Sequence, residues 1–534
     1  MLVSIFNDVI GPVMRGPSSS HCAAALRIGR LARDLVGGTP DEVVVEFDRA
    51  GSLPTTHESQ GSDLGLFGGL LGWDAADERL PEGDSTLRAA GTTVRFVTGD
   101  YGDPHPNTYR LAVRRGDRSH SLRAISTGGG IIEVLDIDGF PLALHGDAHE
   151  TLWCVVGADA RPRGRTLAEA IAAALGSAAD RVTTIEGPAG LLVRVGSREA
   201  ISPARLAPFA ESAAWVRALG PVLPVLSPPG VEVPFASAAA LLAADAGREL
   251  PLWRHAIDYE MQRGGLSEER VTAMMVEIVR VLRRSIASGI AGTQYDDRVL
   301  PAQAPGFAAA LAGGRLVGDR VLNGIVLATT ALMEVKSSMG VIVAAPTAGA
   351  CAALPAAVIT LAETMGLGEE EMARALLAAG LVGVFICTPW SFAAEVGGCQ
   401  AEGGSAAAMA AAAIVTLAGG SVRPALAAAS MALQSMIGLV CDPVGNRVEV
   451  PCLGKNVMAA ANALACANMA LAGFAEVVPF DQVVETARRV SEQMPRELRC
   501  TALGGLSITP ASQAIEIRLM ERRAGRSAPA ADAG

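Results

Sequence analysis

Lysine is almost missing from this chain: Lys336 and Lys455 are the only two among 534 residues. A pyridoxal-phosphate enzyme needs a Schiff-base lysine, usually with a glycine-rich phosphate loop beside it. Lys336 falls inside a predicted helical stretch and Lys455 follows Cys452 by three residues, so pyridoxal phosphate is not expected. Aromatic residues make up 4% of the chain, and its seven histidines all lie at or before His255. An imidazole serving chemistry in the C-terminal half must come from elsewhere in the chain or from another subunit, which points to a site between domains. The net charge of −11 argues against a nucleic-acid partner. Nine cysteines, an odd number, are too few for a disulfide scaffold and suit reduced thiols or a metal site. The first ten residues carry Asp8 and no basic residue, so no export signal is expected and the chain is placed in the cytoplasm.

Charge is also absent from three long runs, 337–362, 403–422 and 424–441, each long enough to raise the question of a membrane span. Their apolar mass is mostly alanine, Gly-Gly pairs and prolines interrupt them, and no Trp/Tyr belt flanks them. They read as helices packed inside a protein with no membrane partner. Half of the residues are hydrophobic, enough for large cores and against wholesale disorder.

Periodicity divides the chain and gives an α+β multidomain fold. Residues 1–150 read as an α/β domain, with a helix over 24–36 and alternating strands at 42–47 and 92–97. Residues 151–218 follow a β-α-β-β-α rhythm that suggests a small ferredoxin-like module of the ACT type. A Pro/Val-rich linker over 219–234 leads to an all-α domain over 235–520, and 521–534 read as a disordered tail.

Two sets of residues carry chemistry. Cys399, Cys441 and Cys452 each sit beside glycine or proline, at breaks where thiolates can meet in one pocket. Three such thiolates suit an iron–sulfur cluster with one iron left open, as a Lewis-acid catalyst requires; buried packing is the competing reading. Cys387 and Cys466 lie in apolar helical runs and read as packing, Cys351 is less clear, and spacing suggests no partner for Cys22, Cys154 or Cys500. The second set is Gly16-Pro17-Ser18-Ser19-Ser20-His21, ahead of a helix. Hydroxyls and free N–H groups at a helix start make an anion site with His21 placed for proton transfer, or else an ordinary serine cap. His105-Pro106-Asn107-Thr108, after a turn, is either a polar turn or a ligand contact.

These stretches, with Gly51-Ser52-Leu53, Thr127-Gly128-Gly129-Gly130, Ala345-Pro346-Thr347-Ala348-Gly349, Glu395-Val396-Gly397-Gly398-Cys399-Gln400, Cys441-Asp442-Pro443-Val444, Val450-Pro451-Cys452 and Gly504-Gly505-Leu506, occur in an order that resembles the iron–sulfur-dependent L-serine dehydratases (L-serine ammonia-lyases), with β-type and α-type parts fused. The resemblance implies a 4Fe–4S cluster on Cys399, Cys441 and Cys452 and conversion of L-serine to pyruvate and ammonia. It further implies catalytic roles for His21 and Ser19, and substrate binding by Ser18, Ser19, Ser20, Gln60, Ser62, His105, Asn107 and Thr347, in a homodimer. Four positions depart from the family. Gln60 stands where a histidine is frequent, so the base is His21 or His57, or the substrate differs. Cys22 replaces a usual threonine, no cysteine ends the chain, and the 151–218 module is extra relative to the shorter single-chain members. The same elimination on threonine, cysteine or a hydroxy acid, and an inactive amino-acid sensor, are the alternatives that these departures keep open.

Overall fold

The computed structural model describes residues 2–228 and 230–527. Strand β1 (Val13–Arg15) stands apart from a six-stranded sheet of β2 (Glu42–Asp48), β3 (Thr93–Gly99), β4 (Thr108–Arg115), β5 (Arg118–Gly128), β6 (Ile131–Ile137) and β7 (Phe140–Leu144). The sheet order is β3-β2-β4-β5-β6-β7, with β2 and β3 parallel and the other neighbours antiparallel. Alternation decides the faces: Val43, Val45 and Phe47 point into the core, while Glu42 is exposed.

Against this core lie the helices Ala24–Val36 and Ser62–Leu71, which touch backbone to backbone. A Cβ on Gly65 would meet the Cys22 carbonyl oxygen at 1.9 Å, and one on Gly69 the Leu26 carbonyl oxygen at 2.1 Å. Only glycine lets the helices approach so closely. That approach brings the turn before the first helix, holding Ser18–His21, against the segment 52–62.

A second, antiparallel sheet holds β8 (His149–Val156), β9 (Arg181–Gly187), β10 (Gly190–Ser197) and β11 (Trp215–Leu219) in the order β11-β8-β10-β9. Helices Ala160–Leu175 and Pro203–Ala210 complete a β-α-β-β-α-β unit. Trp153, Val155, Val193 and Val195 pack in this unit's own core, with Ile171 of its first helix. Leu152, Cys154 and Leu192 join the core of the six-stranded sheet. The sheet is thus covered on both faces. Its last strand ends at Leu219, one residue past the expected boundary.

From Ala238 onward the regular structure of the described residues is helical but for one short strand. Ser405–Leu417 is buried on nearly every side, among Glu369–Cys387, Val422–Gln434, Ala353–Met365 and Cys452–Leu471. Alanine on all faces lets these helices pack closely, which explains the long uncharged runs. Thirteen residues of helix span only about 20 Å. Among the described residues no helix is long and apolar enough to cross a membrane.

Three expectations need correction. The region after 235 is not all-α: β12 (Val341–Val343) pairs antiparallel with β1, Val13 opposite Val343. Three apolar residues between a helix and a Pro turn are too few to show a period, and the partner lies at the other end of the chain. Nor do the first residues belong to the α/β domain, since Val3, Ile5, Phe6, Val9, Ile10 and Met14 fill the helical core. Ile5 and Val9 occupy the space left by Gly380 and Gly383, where a Cβ would come within 2.5 and 2.1 Å of them. Ser4 donates to Glu260, and Asn7 exchanges hydrogen bonds with the backbone of Val225. Finally, a helix over Pro510–Ser527 occupies the first part of the expected tail; the rest, 528–534, lies outside the described residues.

Candidate active site

The polar turn Ser18-Ser19-Ser20-His21 is buried, and its wide π turn over Ser19–Ala23 runs into the helix Ala24–Val36. His21 is completely buried, with Nε2 2.7 Å from Thr56 Oγ1. The Thr56 hydroxyl donates to the Ser52 carbonyl at 2.8 Å, so it accepts the proton of Nε2. The hydrogen-bond network therefore assigns the lone pair to Nδ1. Ser18 Oγ and Ser20 Oγ lie 3.1 and 3.2 Å from Nδ1. Ser20 spends its proton on Glu395 Oε1 at 2.8 Å, which leaves Ser18 to donate to the ring. Burial lowers the His21 pKa, and Glu395 only partly offsets this, so the ring is a neutral base near pH 7.

Thr347 and its loop form the facing wall. The Ala348 N–H donates to Ser19 Oγ at 3.0 Å, tying loop to turn. Thr347 Oγ1 donates to Glu402 Oε1 at 2.8 Å and accepts from the Ala350 N–H at 3.1 Å. Gly349 leaves room for that carboxylate, since a Cβ there would sit 2.8 Å from either Glu402 oxygen. Burial, then the negative charge of Glu395, pushes the Glu402 carboxyl up to about 7. Glu395 Oε2 is buried with no hydrogen-bond partner.

The cysteines meet on the far side of Glu395. Cys399, Cys441 and Cys500 pack together with Ala394. Cys500 is brought there by loop pairing: the Cys441 N–H donates to the Leu498 carbonyl at 2.9 Å and the Cys500 N–H to the Cys441 carbonyl at 3.1 Å. Cys500 itself has φ +58°, a left-handed conformation that turns the chain back at this point. Cys452 opens the helix Cys452–Leu471. The Cys441 thiol is pushed well up by Cys399 and Cys500 beside it, and the Cys452 thiol by burial and then Cys399. Burial would depress the Lys455 ammonium, but Cys399 and then Asp442 raise it. Lys455 Nζ lies 3.7 Å from Cys399 Sγ and donates to the Val440 carbonyl and to Asp442.

This donor set fits an iron–sulfur cluster. Iron–sulfur clusters are held by cysteine sulfur, one per iron, and a cation at the site would favour the thiolate form that burial and neighbouring sulfurs oppose at Cys441 and Cys452. Among the described residues no group of three or more His, Cys, Asp or Glu is arranged to hold a metal ion.

The remaining expected residues are distributed unevenly. Gln60 reaches the thiols, donating through Nε2 to Cys500 Sγ at 3.6 Å. His105 accepts from the Asn107 N–H, and burial lowers its pKa against the pull of Glu395. Asn107 accepts from Ser52, with its Nδ2 buried and unpartnered. Ser62 turns away to Tyr109 at 2.8 Å, and His57 is paired with Asp63 between Phe47 and Phe96. Cys22, Cys351 and Cys466 are in the helical core, with Cys387 packed against it, and Cys154 is in the sheet core. A cavity of about 540 Å³ lined by Ile10, Leu26 and Met274 is mostly apolar and holds none of the groups that converge at the turn and the thiols. Thr56 and Glu402 were not singled out by sequence; Glu395 appeared only within its motif, Lys455 only as one of two lysines, and Cys500 only as the cysteine nearest the tail. Glu395 and Glu402 did carry a signal, as the acids flanking Cys399 beside an uncharged run.

Residues 247–507 match the sequence profile of the serine dehydratase alpha chain. The chain is similar to a probable L-serine dehydratase alpha chain of Bacillus subtilis (35% identity over 263 residues; 49% of this chain and 88% of the relative). It is similar to the L-serine dehydratase alpha chain of Peptoniphilus asaccharolyticus (34% over 273 residues; 50% and 92%). It is also similar to a probable L-serine dehydratase beta chain of B. subtilis (42% over 144 residues; 27% and 64%).

Proposed function

The chain belongs to the L-serine dehydratase family of lyases, and on that premise we propose that it fuses beta-type and alpha-type parts into one enzyme that converts L-serine to pyruvate and ammonia. The observation that carries this reading is the adjacency of Ala394 and Glu395. Ala394 packs on Cys399, Cys441 and Cys500, while Glu395 accepts from Ser20 and lies 3.4 Å from His21 Nδ1. One peptide unit thus joins the thiols to the polar turn.

Cys399, Cys441 and Cys452 would hold a 4Fe–4S cluster, with Cys500 beside them, where Gln60 donates to its sulfur. A cluster with one iron open to substrate supplies Lewis acidity that makes hydroxide a feasible leaving group. Lys455 keeps a positive charge beside the Cys399 sulfur. Ser18, Ser19 and Ser20 hold the substrate carboxylate. His21, neutral and with its lone pair at Nδ1, takes the Cα proton. Loss of that proton and of the hydroxyl as water leaves an enamine, which tautomerises and hydrolyses to pyruvate and ammonia. Gln60 cannot take a proton at neutral pH, which leaves the base role to His21. The β8–β11 unit we read as an ACT-like regulatory module and the working form as a cytoplasmic homodimer.

Anaerobic purification, iron and sulfide analysis, and pyruvate release from L-serine before and after exposure to air test the reading. Iron-loaded protein with oxygen-labile turnover is expected. Iron-free protein that still deaminates L-serine would overturn it.

A further inference from the structure

Glu395 is buried with a side-chain exposure of 3%, yet its Oε2 has no donor among the described residues. Burying a carboxylate oxygen without a partner is costly, and native structures rarely leave one so. Its other oxygen receives only the Ser20 hydroxyl, since His21 Nδ1, 3.4 Å away, carries no proton. Glu402, whose carboxyl is raised by burial and then by the charge of Glu395, receives only the Thr347 hydroxyl. No arginine or lysine forms an ion pair with either carboxylate among the described residues. Lys455 is engaged with Asp442 and the Val440 carbonyl, and Lys336 with the Val448 carbonyl. His21 is not the missing cation, because its Nδ1 is the accepting atom in this network.

Of the two carboxylates beside the polar turn, neither has an ion-pair partner among the described residues, and Glu395 Oε2 also lacks a donor. A primary ammonium supplies one charge and three N–H donors. We propose that Glu395, through Oε2 and with Glu402 beside it, binds the α-ammonium group of the substrate and so restricts the site to α-amino acids over the corresponding α-hydroxy acids. The assignment rests on the dehydratase reading for the kind of ligand, and it fixes how that ligand lies. The carboxylate meets Ser18–Ser20, the ammonium meets Glu395, and the β-hydroxyl points to the side where Ala394 meets the thiols. An α-hydroxy acid would leave Oε2 unpaired and set its own oxygen against a carboxylate. Sites built around such a polar group reject ligands lacking it by large factors.

The test measures equilibrium binding of L-serine and of L-glycerate, the α-hydroxy counterpart, to anaerobically purified iron-loaded protein, wild type and Glu395→Gln, each carrying His21→Asn so that L-serine is held without being consumed. In the wild type, L-serine should bind at least about 100-fold more tightly than L-glycerate. Glu395→Gln, which keeps an acceptor for Ser20, should lose about 100-fold for L-serine and nothing for L-glycerate. Glu402→Gln should lose about 10-fold, again for L-serine alone. Equal losses for both ligands, no loss for L-serine, or equal wild-type affinities would overturn the proposal. If Glu395→Gln does not fold, Glu402→Gln and the wild-type ratio decide. Pyruvate release by the wild type with His21 intact scores the dehydratase reading separately: turnover of L-serine with no ligand discrimination sinks the ammonium assignment alone.

Discussion

The two sides of the site differ in how completely the fold satisfies them. Around His21 every polar atom has a protein partner: Thr56 takes one ring nitrogen, Ser18 and Ser20 face the other, and Ala348 holds Ser19. Around Glu395 the reverse holds, with a partnerless oxygen, a Glu402 carboxyl held up to about 7 and thiols that resist ionisation. The saturated side fixes the tautomer and orientation of His21 in advance, so substrate has only to turn the serine hydroxyls to its carboxylate and so free Nδ1. The unsaturated side is where outside groups complete the structure, and its discomfort indicates their charge: cationic at the thiols, cationic at the carboxylates.

The largest effect should come from removing what the unsaturated side holds. Cys399→Ala, Cys441→Ala and Cys452→Ala should each abolish pyruvate formation and lower bound iron, as read by anaerobic metal analysis. Full iron and turnover in all three would break the contrast. On the saturated side, His21→Asn should leave iron content intact and reduce kcat by about 10²–10⁴-fold, the usual worth of a positioned acid–base group. A third test uses pH. Glu402 titrates at about 7 in the fold against an ordinary value of 4.5, so the folded state keeps a proton that the unfolded chain releases between those values. Its contribution to stability is complete below about 4.5 and is lost as pH rises through 7. Cluster-free Glu402→Gln should therefore be more stable than wild type above pH 7.5. The gain should be on the order of 1–2 kcal/mol in denaturant titrations, partial exposure of Glu402 reducing the full value. The smallest effect is expected at Cys500: Cys500→Ser should retain iron and turnover within a few-fold, and loss of iron there would make Cys500 a ligand on a par with the other three.

What was legible in the sequence follows from how local each signal is. Ser18–His21 could be read because a run of serines before a helix is informative by itself. Cys399, Cys441 and Cys452 could be read because each interrupts a helical pattern beside Gly or Pro. Cys500 could not, since it reaches the thiols through backbone pairing with Cys441, a contact between two loops that no spacing encodes. Thr56 was missed because its role depends on the glycine-mediated contact of two helices, and Ser62 was overvalued because motif membership does not show which way a side chain turns. β12 went unseen for want of length, and β11 because five residues at a module's edge resemble the linker that follows.

The placement of residues 2–14 in the helical core sets a timetable for biosynthesis. Ile5 and Val9 are translated well before the groove that receives them, at Gly380 and Gly383, some 370 residues later. At about 5–20 residues per second, that is an interval on the order of 20–70 s during which this apolar segment lacks its groove. Ala348 and Glu395, which tie down Ser19 and Ser20, are translated in the same late part of the chain, so an unfinished chain lacks the facing wall of its proton-transfer turn.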